Sequence, residues 1–325
     1  MDAASIILGR AAAFLPTRDT WVTVMPVSRG AQTAALLNVE VLCLSGRALP
    51  RAAMAAFAAF VSAVLDRTHR QLKTLRLSHC TGVTTAALAR LGDCTNVTTV
   101  VLTACSGLTQ LPALIGDCAA LKTLVMMQCH RVTTAALLRI GDCASLELLK
   151  LSGCAGLNAL PMLGSCASLK KLNLSFCTGL MRFEQISDCT SLTDLNLSWC
   201  EGLAVLPPRI GNCALTRLNL SGCVGLTTAG LDRIGDLSAL KWLDLSDCPG
   251  VNALPERLVH CEALNSLCLE ANRGLSSLPS WLGLFPALNW LDVSGCRNAV
   301  RRNALVAGLE DRGCQVYGAY RINSY

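Results

Sequence analysis

The sequence predicts an α/β solenoid of about eleven repeats, in which every repeat contributes one strand to a parallel sheet and short helices and turns connect the strands. Three observations lead to this fold class. Apolar residues form 52% and charged residues only 15% of the 325-residue chain, which predicts a large core and excludes extensive disorder. One apolar pattern recurs along the chain at steps of 23 to 25 residues, and most of the 19 cysteines follow the same period.

The recurring pattern places apolar residues at its first, fourth and sixth positions and a cysteine at its ninth. Ten copies follow one another after a looser eleventh copy upstream, and the first clear one is Leu72, Leu75, Leu77 and Cys80. Because Leu75 and Leu77 flank the charged Arg76, this stretch predicts a strand with one buried face. A single strand of this kind cannot bury its leucines alone, so neighbouring repeats must stack into a continuous core.

This pattern, which covers residues 37–298, resembles the leucine-rich repeat, L-x-x-L-x-L-x-x-N/C-x-L. The resemblance implies a curved solenoid with its parallel sheet on the concave side. It also implies a non-catalytic interaction scaffold that binds a protein or peptide on the concave face. We expect such a chain to be a monomer on its own.

The cysteines divide into sets that the repeat defines. Nine end the pattern and seven lie just before a strand, while Cys43, Cys268 and Cys314 remain. In leucine-rich repeats the pattern normally ends in an inward Asn that hydrogen-bonds the loop backbone. Cys is small, is often buried and has a weak S–H donor, so it can replace that residue, and Asn272 occupies the same place in one repeat. The sequence contains no C-x₂-C pair of the kind that binds zinc. Each interior repeat has equivalent neighbours on both sides, so no particular disulfide pairing is favoured, and we expect reduced structural thiols.

Two kinds of segment connect the strands. The first has paired threonines before an apolar run, as in Thr84-Thr85-Ala86-Ala87-Leu88, and predicts a short helix with a hydroxyl cap. The second contains Leu-Pro, as in Leu111-Pro112, and predicts extended or single-turn structure. The first kind resembles the cysteine-containing repeats of F-box proteins, and the second resembles the repeats of other intracellular and plant-type scaffolds.

Both ends are expected to carry caps, because a solenoid exposes apolar core there. The stretch from Arg51 to Arg70 has apolar residues at helical spacing and predicts the long helix of the first repeat. The stretch from Arg302 to Arg312 predicts a helix that Gly313 closes, followed by a last edge strand. The chain is accordingly divided into an N-terminal segment (1–36), the repeats (37–298) and a C-terminal cap (299–325).

Residues 5–30 do not fit the repeat and resemble an F-box, the helical module that docks on the adaptor of a cullin–RING ubiquitin ligase. The resemblance implies that five residues carry docking or its helix packing: Phe14, Leu15, Pro16, Trp21 and Val27. The sequence departs from the F-box in lacking a Leu-Pro opening and in having Gly30 where Trp is common. The alternative is a helical N-terminal cap or a degenerate F-box.

Several function classes have no support in the sequence. The four histidines are scattered, and no Walker loop or G-x-S-x-G elbow occurs, so we expect no enzyme activity, metal site or cofactor. The net charge of +6 is mild and gives no basic stripe for nucleic acid. The longest uncharged apolar run has 14 residues, whereas a membrane span needs about 20. The start of the chain lacks a secretion-signal pattern, so we predict a cytoplasmic protein, with the nucleus as the alternative.

Large aromatic side chains stand out among the small polar residues of the predicted outward face. Exposed aromatics on a rigid scaffold are enriched at binding hot spots, so we predict a partner site at Phe176, Trp199, Trp242 and Trp290. The neighbouring charges are predicted to set specificity: Lys171, Asp194, Arg217 and Asp244. The alternative is that the rings pack sideways on the next repeat.

Two functional hypotheses follow. The first is a substrate receptor of a Skp–cullin–F-box ubiquitin ligase, with the N-terminal segment on the adaptor and the repeats on the substrate. The second is a general intracellular recognition or signalling scaffold with no ligase role.

Overall fold

The structure is a computed structural model that describes residues 40–45, 54–164, 166–297, 300 and 304–318. The segment with Phe14, Leu15, Pro16, Trp21 and Val27 lies outside these residues, so its resemblance to an F-box stays a prediction. Within the described ranges, no helix is both long enough and apolar enough to cross a membrane.

Twelve strands and two α-helices form the regular elements of the described residues. The helices are α1 (Met54–Thr68) and α2 (Ala304–Asp311). The strands follow the predicted period: β1 (Val41–Ser45), β2 (Thr74–Ser78), β3 (Thr99–Thr103), β4 (Thr123–Met127), β5 (Leu148–Lys150), β6 (Lys171–Asn173), β7 (Asp194–Asn196), β8 (Arg217–Asn219), β9 (Trp242–Asp244), β10 (Ser266–Cys268), β11 (Trp290–Asp292) and β12 (Gln315–Tyr317).

These elements belong to two compact units. The first contains the described residues up to Leu157 together with Pro161–Leu169, and the second contains Asn158–Leu160 and the described residues from Lys170 onward. Strands β1 to β5 lie in the first unit and β6 to β12 in the second. In each unit every strand pairs in parallel with the next strand along the chain, as predicted.

The register of the strands aligns their inward residues and builds the core of each unit. Leu75 of β2 pairs with Val100 of β3, and Leu195 of β7 pairs with Leu218 of β8. All four side chains are fully buried, and so are most of the repeat leucines. The predicted α/β leucine-rich-repeat fold is therefore confirmed.

The connecting segments include eight short 3₁₀ helices among the described residues, and three of these lie where paired threonines had predicted capped helices. Thr85 precedes the 3₁₀ helix Ala86–Asp93 without capping it, and its hydroxyl donates to the carbonyl of Gln110, 2.7 Å away in the next repeat. The hydroxyl of Thr228 likewise donates to Ala253 at 2.9 Å. The predicted hydroxyl cap is therefore wrong at Thr85, because the close spacing of the repeats offers its hydroxyl a carbonyl acceptor in the next repeat. In the pair Thr227-Thr228 the cap is present, since the Thr227 hydroxyl accepts the backbone N–H of Gly230 at 3.2 Å.

The Leu-Pro segments have the single-turn structure that the sequence predicts. Pro112 is extended, with φ −56° and ψ 142°, and a one-turn 3₁₀ helix follows at Ala113–Asp117. Pro255 and Pro279 precede equally short 3₁₀ helices. Proline fixes its own φ, and it cannot donate the backbone N–H that continued helix would need.

Both described end elements match their predictions. Helix α1 packs against the 3₁₀ helix Ala86–Asp93 and buries an apolar stripe that includes Phe57, Val61 and Leu65. At the other end α2 is followed by Gly313, whose φ of 85° lets the chain turn into the edge strand β12.

We predict that Leu174→Ala lowers the free energy of unfolding by about 2–5 kcal/mol, because the lost side chain leaves a cavity in a fully buried position. Urea denaturation followed by circular dichroism measures this change. Met181→Ala is the matched control, since the Met181 side chain is 65% exposed and its loss should have little effect. A loss below about 1 kcal/mol for Leu174→Ala would contradict the inward assignment.

Candidate functional site

The turn after each strand has the same backbone conformation in every complete repeat described. We number the residues from the start of a strand to the end of this turn as positions 1 to 7, as in Lys171 to Cys177. Position 6 has a positive φ in all ten repeats from β2 to β11, between 52° and 71°. Only three of these residues are glycine; the ten are His79, Ala104, Gln128, Gly153, Phe176, Trp199, Gly222, Asp247, Ala271 and Gly295.

The left-handed residue lets position 7 turn into the core, where its side chain donates a hydrogen bond to a main-chain carbonyl of the preceding repeat. The thiol of Cys200 donates to the position-4 carbonyl of Leu174 at 3.2 Å, and the Cys223 thiol donates to Leu197 at 3.2 Å. Asn272 makes the equivalent bond to Leu245 at 2.7 Å. The predicted equivalence of Cys and Asn at the end of the pattern is therefore confirmed.

A second column of thiols lies just before the strands and was not predicted to hydrogen-bond. The thiol of Cys213 donates to the carbonyl of Ile186 at 3.1 Å, and that of Cys261 donates to Ile234 at 3.2 Å. Each acceptor belongs to the 3₁₀ helix of the preceding repeat. No disulfide joins the described cysteines, and all but Cys43 are buried, as predicted.

Burial keeps these thiols protonated and therefore able to donate. It raises the pKa of Cys143 and of Cys261 from 9.0 to about 12, and that of Cys213 to about 11. At neutral pH the thiols are neutral donors and poor nucleophiles. The structure therefore assigns them to the packing of the repeats.

Position 3 also takes part in the turn. In five of the six repeats from β6 to β11, all but β10, a side-chain oxygen at position 3 accepts the backbone N–H of position 5 at 2.8–2.9 Å. Asp244, predicted to set specificity, is one of these residues and accepts the N–H of Ser246. The side chains that make this bond are Asn173, Asn196, Asn219, Asp244 and Asp292.

Phe176 and Trp199 form a stacked and exposed aromatic pair at position 6 of adjacent repeats. Their ring centroids are 6.0 Å apart and their planes differ by 3°. The side chain of Trp199 also covers Gly222 in the next repeat, since a Cβ added there would lie 2.5 Å from its ring. Phe176 is nevertheless 53% exposed and Trp199 39% exposed, so both the predicted exposure and the alternative of sideways packing hold in part.

A second aromatic group lies at position 1, at the start of the strands. Lys171, Asp194, Arg217 and Trp242 occupy this position in successive repeats. The Arg217 guanidinium lies 4.0 Å from the Asp194 carboxylate, and its central carbon lies 4.6 Å from the centre of the Trp242 ring. Three of the predicted specificity residues therefore share a row with Trp242, whereas Asp244 lies at position 3.

Trp290 lies two repeats beyond Trp242 in the same row, with Ser266 between them, and its ring is 5.8 Å from that of Tyr317. The two tryptophans line a cleft of about 530 Å³ together with Ser266, Asn289, Gly313 and Gln315. This cleft was missed by the sequence analysis, although the spacing of the tryptophans indicated their common row. Trp242 and Trp290 lie at the start of strands β9 and β11, whereas Phe176 and Trp199 lie in the turns after β6 and β7, so the two aromatic groups occupy different places in the repeat and different repeats.

One group of potential metal ligands occurs among the described residues. Cys268, Glu270 and Asp292 hold ligand atoms within 4.8 Å of one another. The sequence analysis missed them because adjacent repeats contribute them. Burial raises the pKa of the Cys268 thiol to about 11, and the Asp292 carboxylate already accepts the N–H of Ser294. These features favour a structural role for the group.

Comparison with known proteins finds similarity only at the level of solved structures. No family model and no curated protein sequence matches this chain. Similar solved structures include the leucine-rich-repeat protein LIC12759 of Leptospira interrogans, with 17% identity over 89% of this chain and 98% of that one and a TM-score of 0.29. The internalin InlF of Listeria monocytogenes has 15% identity over 82% and 95% of the two chains and a TM-score of 0.35. The plant peptide hormone receptor RGFR1, solved in complex with RGF2, has 16% identity over 80% and 60% and a TM-score of 0.34.

We predict that the protein loses stability steeply as the pH rises above about 9, because a thiol with a pKa near 9 unfolded and near 11–12 folded ionises first in the unfolded state. The unfolded state then binds fewer protons than the folded state, so each pH step favours unfolding until the folded pKa is reached. Urea denaturation under reducing conditions at pH 7.5, 9 and 10.5 measures this decline. A stability that is constant across this range would show that the thiols are not buried donors.

Proposed function

We propose that this chain is a non-catalytic scaffold that binds a protein partner through its exposed aromatic residues. The observation that carries this proposal is the stacked pair of Phe176 and Trp199, which is exposed in a backbone conformation that disfavours large side chains. Rigid exposed rings supply contact area at little conformational cost, which is why aromatics are enriched at protein-binding hot spots.

The conformation of position 6 argues that these rings are not required by the fold. A left-handed residue other than glycine costs about 1–2 kcal/mol, and Gly153, Gly222 and Gly295 meet the same need without that strain. Folding alone therefore favours glycine at Phe176 and Trp199. Strained side chains that persist at an exposed site support a functional role.

Apolar side chains other than the pair are also exposed in this unit. In the loops of the same unit, the side chains of Met181, Val205 and Val224 are all about half exposed or more. Clustered exposed apolar side chains are typical of protein interfaces, whereas single ones are common anywhere on a surface. The aromatic pair is such a cluster, and the three other side chains add exposed apolar surface in the same unit.

Partner capture by full-length protein, followed by mass spectrometry and direct binding of the partner identified, tests this proposal. We expect Phe176→Gly and Trp199→Gly each to weaken the binding of that partner by about 2 kcal/mol, because each removes an aromatic anchor. Ala104→Gly is the matched control, since it makes the same backbone change at a position 6 without a ring. Circular dichroism shows whether the variants keep the fold.

Unchanged partner binding by both folded glycine variants would overturn the proposed role of the pair. Weakening by Ala104→Gly of the same size would assign the effect to the backbone and would also count against the rings.

The finer proposal is that the partner is a substrate of a ubiquitin ligase. Its support is the F-box resemblance of the N-terminal sequence, above all Phe14-Leu15-Pro16. We expect the full-length chain to co-purify with the ligase adaptor, and Leu15→Ala with Pro16→Ala to abolish this association while partner binding by the repeats is kept. A chain that binds its partner but never the adaptor is the general recognition or signalling scaffold instead.

A further inference from the structure

The cleft between Trp242 and Trp290 has a defined chemistry that goes beyond a general binding face. We propose that it binds a cationic side chain, arginine or lysine, from an extended peptide segment of the partner. The proposal rests on the proposed protein-binding function and names the chemistry of the segment recognised. Its location is separate from the Phe176–Trp199 pair.

The two tryptophan walls are held in place from outside the cleft. Arg217, in the preceding repeat, lies over the Trp242 ring, and Ser266 is the strand neighbour of Trp242 on its other side. Tyr317, in the following repeat, contacts Trp290 from its far side. Ser266 is small and leaves the space between the rings open. Two strand spacings of about 5 Å separate the walls, which is room for one side chain between them.

The charges around the cleft favour a cation. The chain has a net charge of +6, yet four acidic residues and no lysine or arginine occupy positions 1, 3, 5 and 6 of β9 to β11 and the described positions 1 and 3 of β12. Asp244 and Asp292 lie at position 3, two residues along the strand from the tryptophans, and Glu270 and Asp247 follow at positions 5 and 6. Along the chain, Lys241 directly precedes Trp242 and Arg312 directly precedes Gly313, whereas the four acidic residues follow position 1 of their strands.

The preference for a guanidinium or ammonium group follows from the two kinds of surface together. Tryptophan faces attract cations, and the stack of Arg217 on Trp242 shows that this ring accepts a guanidinium. A side chain inserted between the rings would direct its charge toward the carboxylates of Asp244 and Asp292. The amides of Asn289 and Gln315 line the open cleft and can bond the peptide backbone beside it.

Titration with two synthetic peptides tests the proposal: acetyl-Ser-Arg-Ser-Arg-Ser-amide, and the same peptide with citrulline for arginine. Citrulline keeps the shape of the side chain and removes its charge. We expect the arginine peptide to bind at least 10-fold more tightly by isothermal titration calorimetry and tryptophan fluorescence. Its affinity should fall as salt is raised, because screening weakens the attraction to the carboxylates.

The chain offers matched variants for this experiment. Trp290→Ser copies the residue at Ser266 and should reduce the affinity for the arginine peptide at least 10-fold. Asp244→Asn with Asp292→Asn should reduce it about 5-fold and keep the turn, because Asn173, Asn196 and Asn219 accept the same backbone bond in their repeats. Ala104→Gly should leave peptide affinity unchanged, because Ala104 lines neither the cleft nor the aromatic pair.

Equal affinities for the arginine and citrulline peptides would overturn the proposal, as would arginine-peptide binding that Trp290→Ser does not weaken. Tighter binding of a phenylalanine-containing counterpart would show an apolar cleft and contradict it as well. Because partner capture is tested through Phe176 and Trp199, failure here with capture intact overturns only the cationic specificity. If partner capture does not depend on Phe176 and Trp199 but the arginine peptide still binds the cleft, only the proposed function of the pair is overturned.

Discussion

The turn after each strand is the constraint on which the rest of this structure depends. Its left-handed residue directs position 7 into the core, where a thiol or the Asn272 amide donates to a main-chain carbonyl of the preceding repeat. An unsatisfied carbonyl in such a core costs about 1–3 kcal/mol, so the bond is required wherever repeats stack. The backbone N–H of position 6 meanwhile donates to the next repeat at 2.7–2.8 Å, as Phe176 and Trp199 do. One turn therefore links each repeat to both of its neighbours.

The same repeat geometry separates the positions that stabilise the fold from the positions whose side chains are available for binding. Positions 2, 4 and 7 are buried, and the Asn or Asp at position 3 supports the turn. Position 1 and the side chain at position 6 carry no common structural task, and they hold the four aromatic residues proposed as binding groups. The Phe176–Trp199 pair is strained and exposed, whereas Trp242 and Trp290 are half-buried and braced by Arg217 and Tyr317. One repeated backbone therefore presents two separate groups of aromatic side chains, which are the two proposed binding surfaces.

The sequence predicted what its period determines and missed what depends on contacts between repeats. The strands, the inward leucines and the role of Asn272 follow from the repeat itself. The hydroxyl of Thr85 departed from prediction because its acceptor, Gln110, lies 25 residues away, beyond any local capping rule. The glycines at Gly153, Gly222 and Gly295 were a sequence signal for the left-handed conformation at position 6. Because the other repeats have residues other than glycine there, the signal was not recognised. The contact of Arg217 with the Trp242 ring could not be predicted without knowing the register of the adjacent strands.

The most direct test of this account is the unfolding free energy of the double variant Phe176→Gly, Trp199→Gly, measured by urea denaturation. Removing the rings loses partly buried apolar area, while glycine relieves about 1–2 kcal/mol of left-handed strain at each position. Because the two effects are of similar size and opposite sign, the account predicts a net change within about 1 kcal/mol of zero. A loss above about 3 kcal/mol would contradict it, since the rings would then be part of the packing that holds the repeats together.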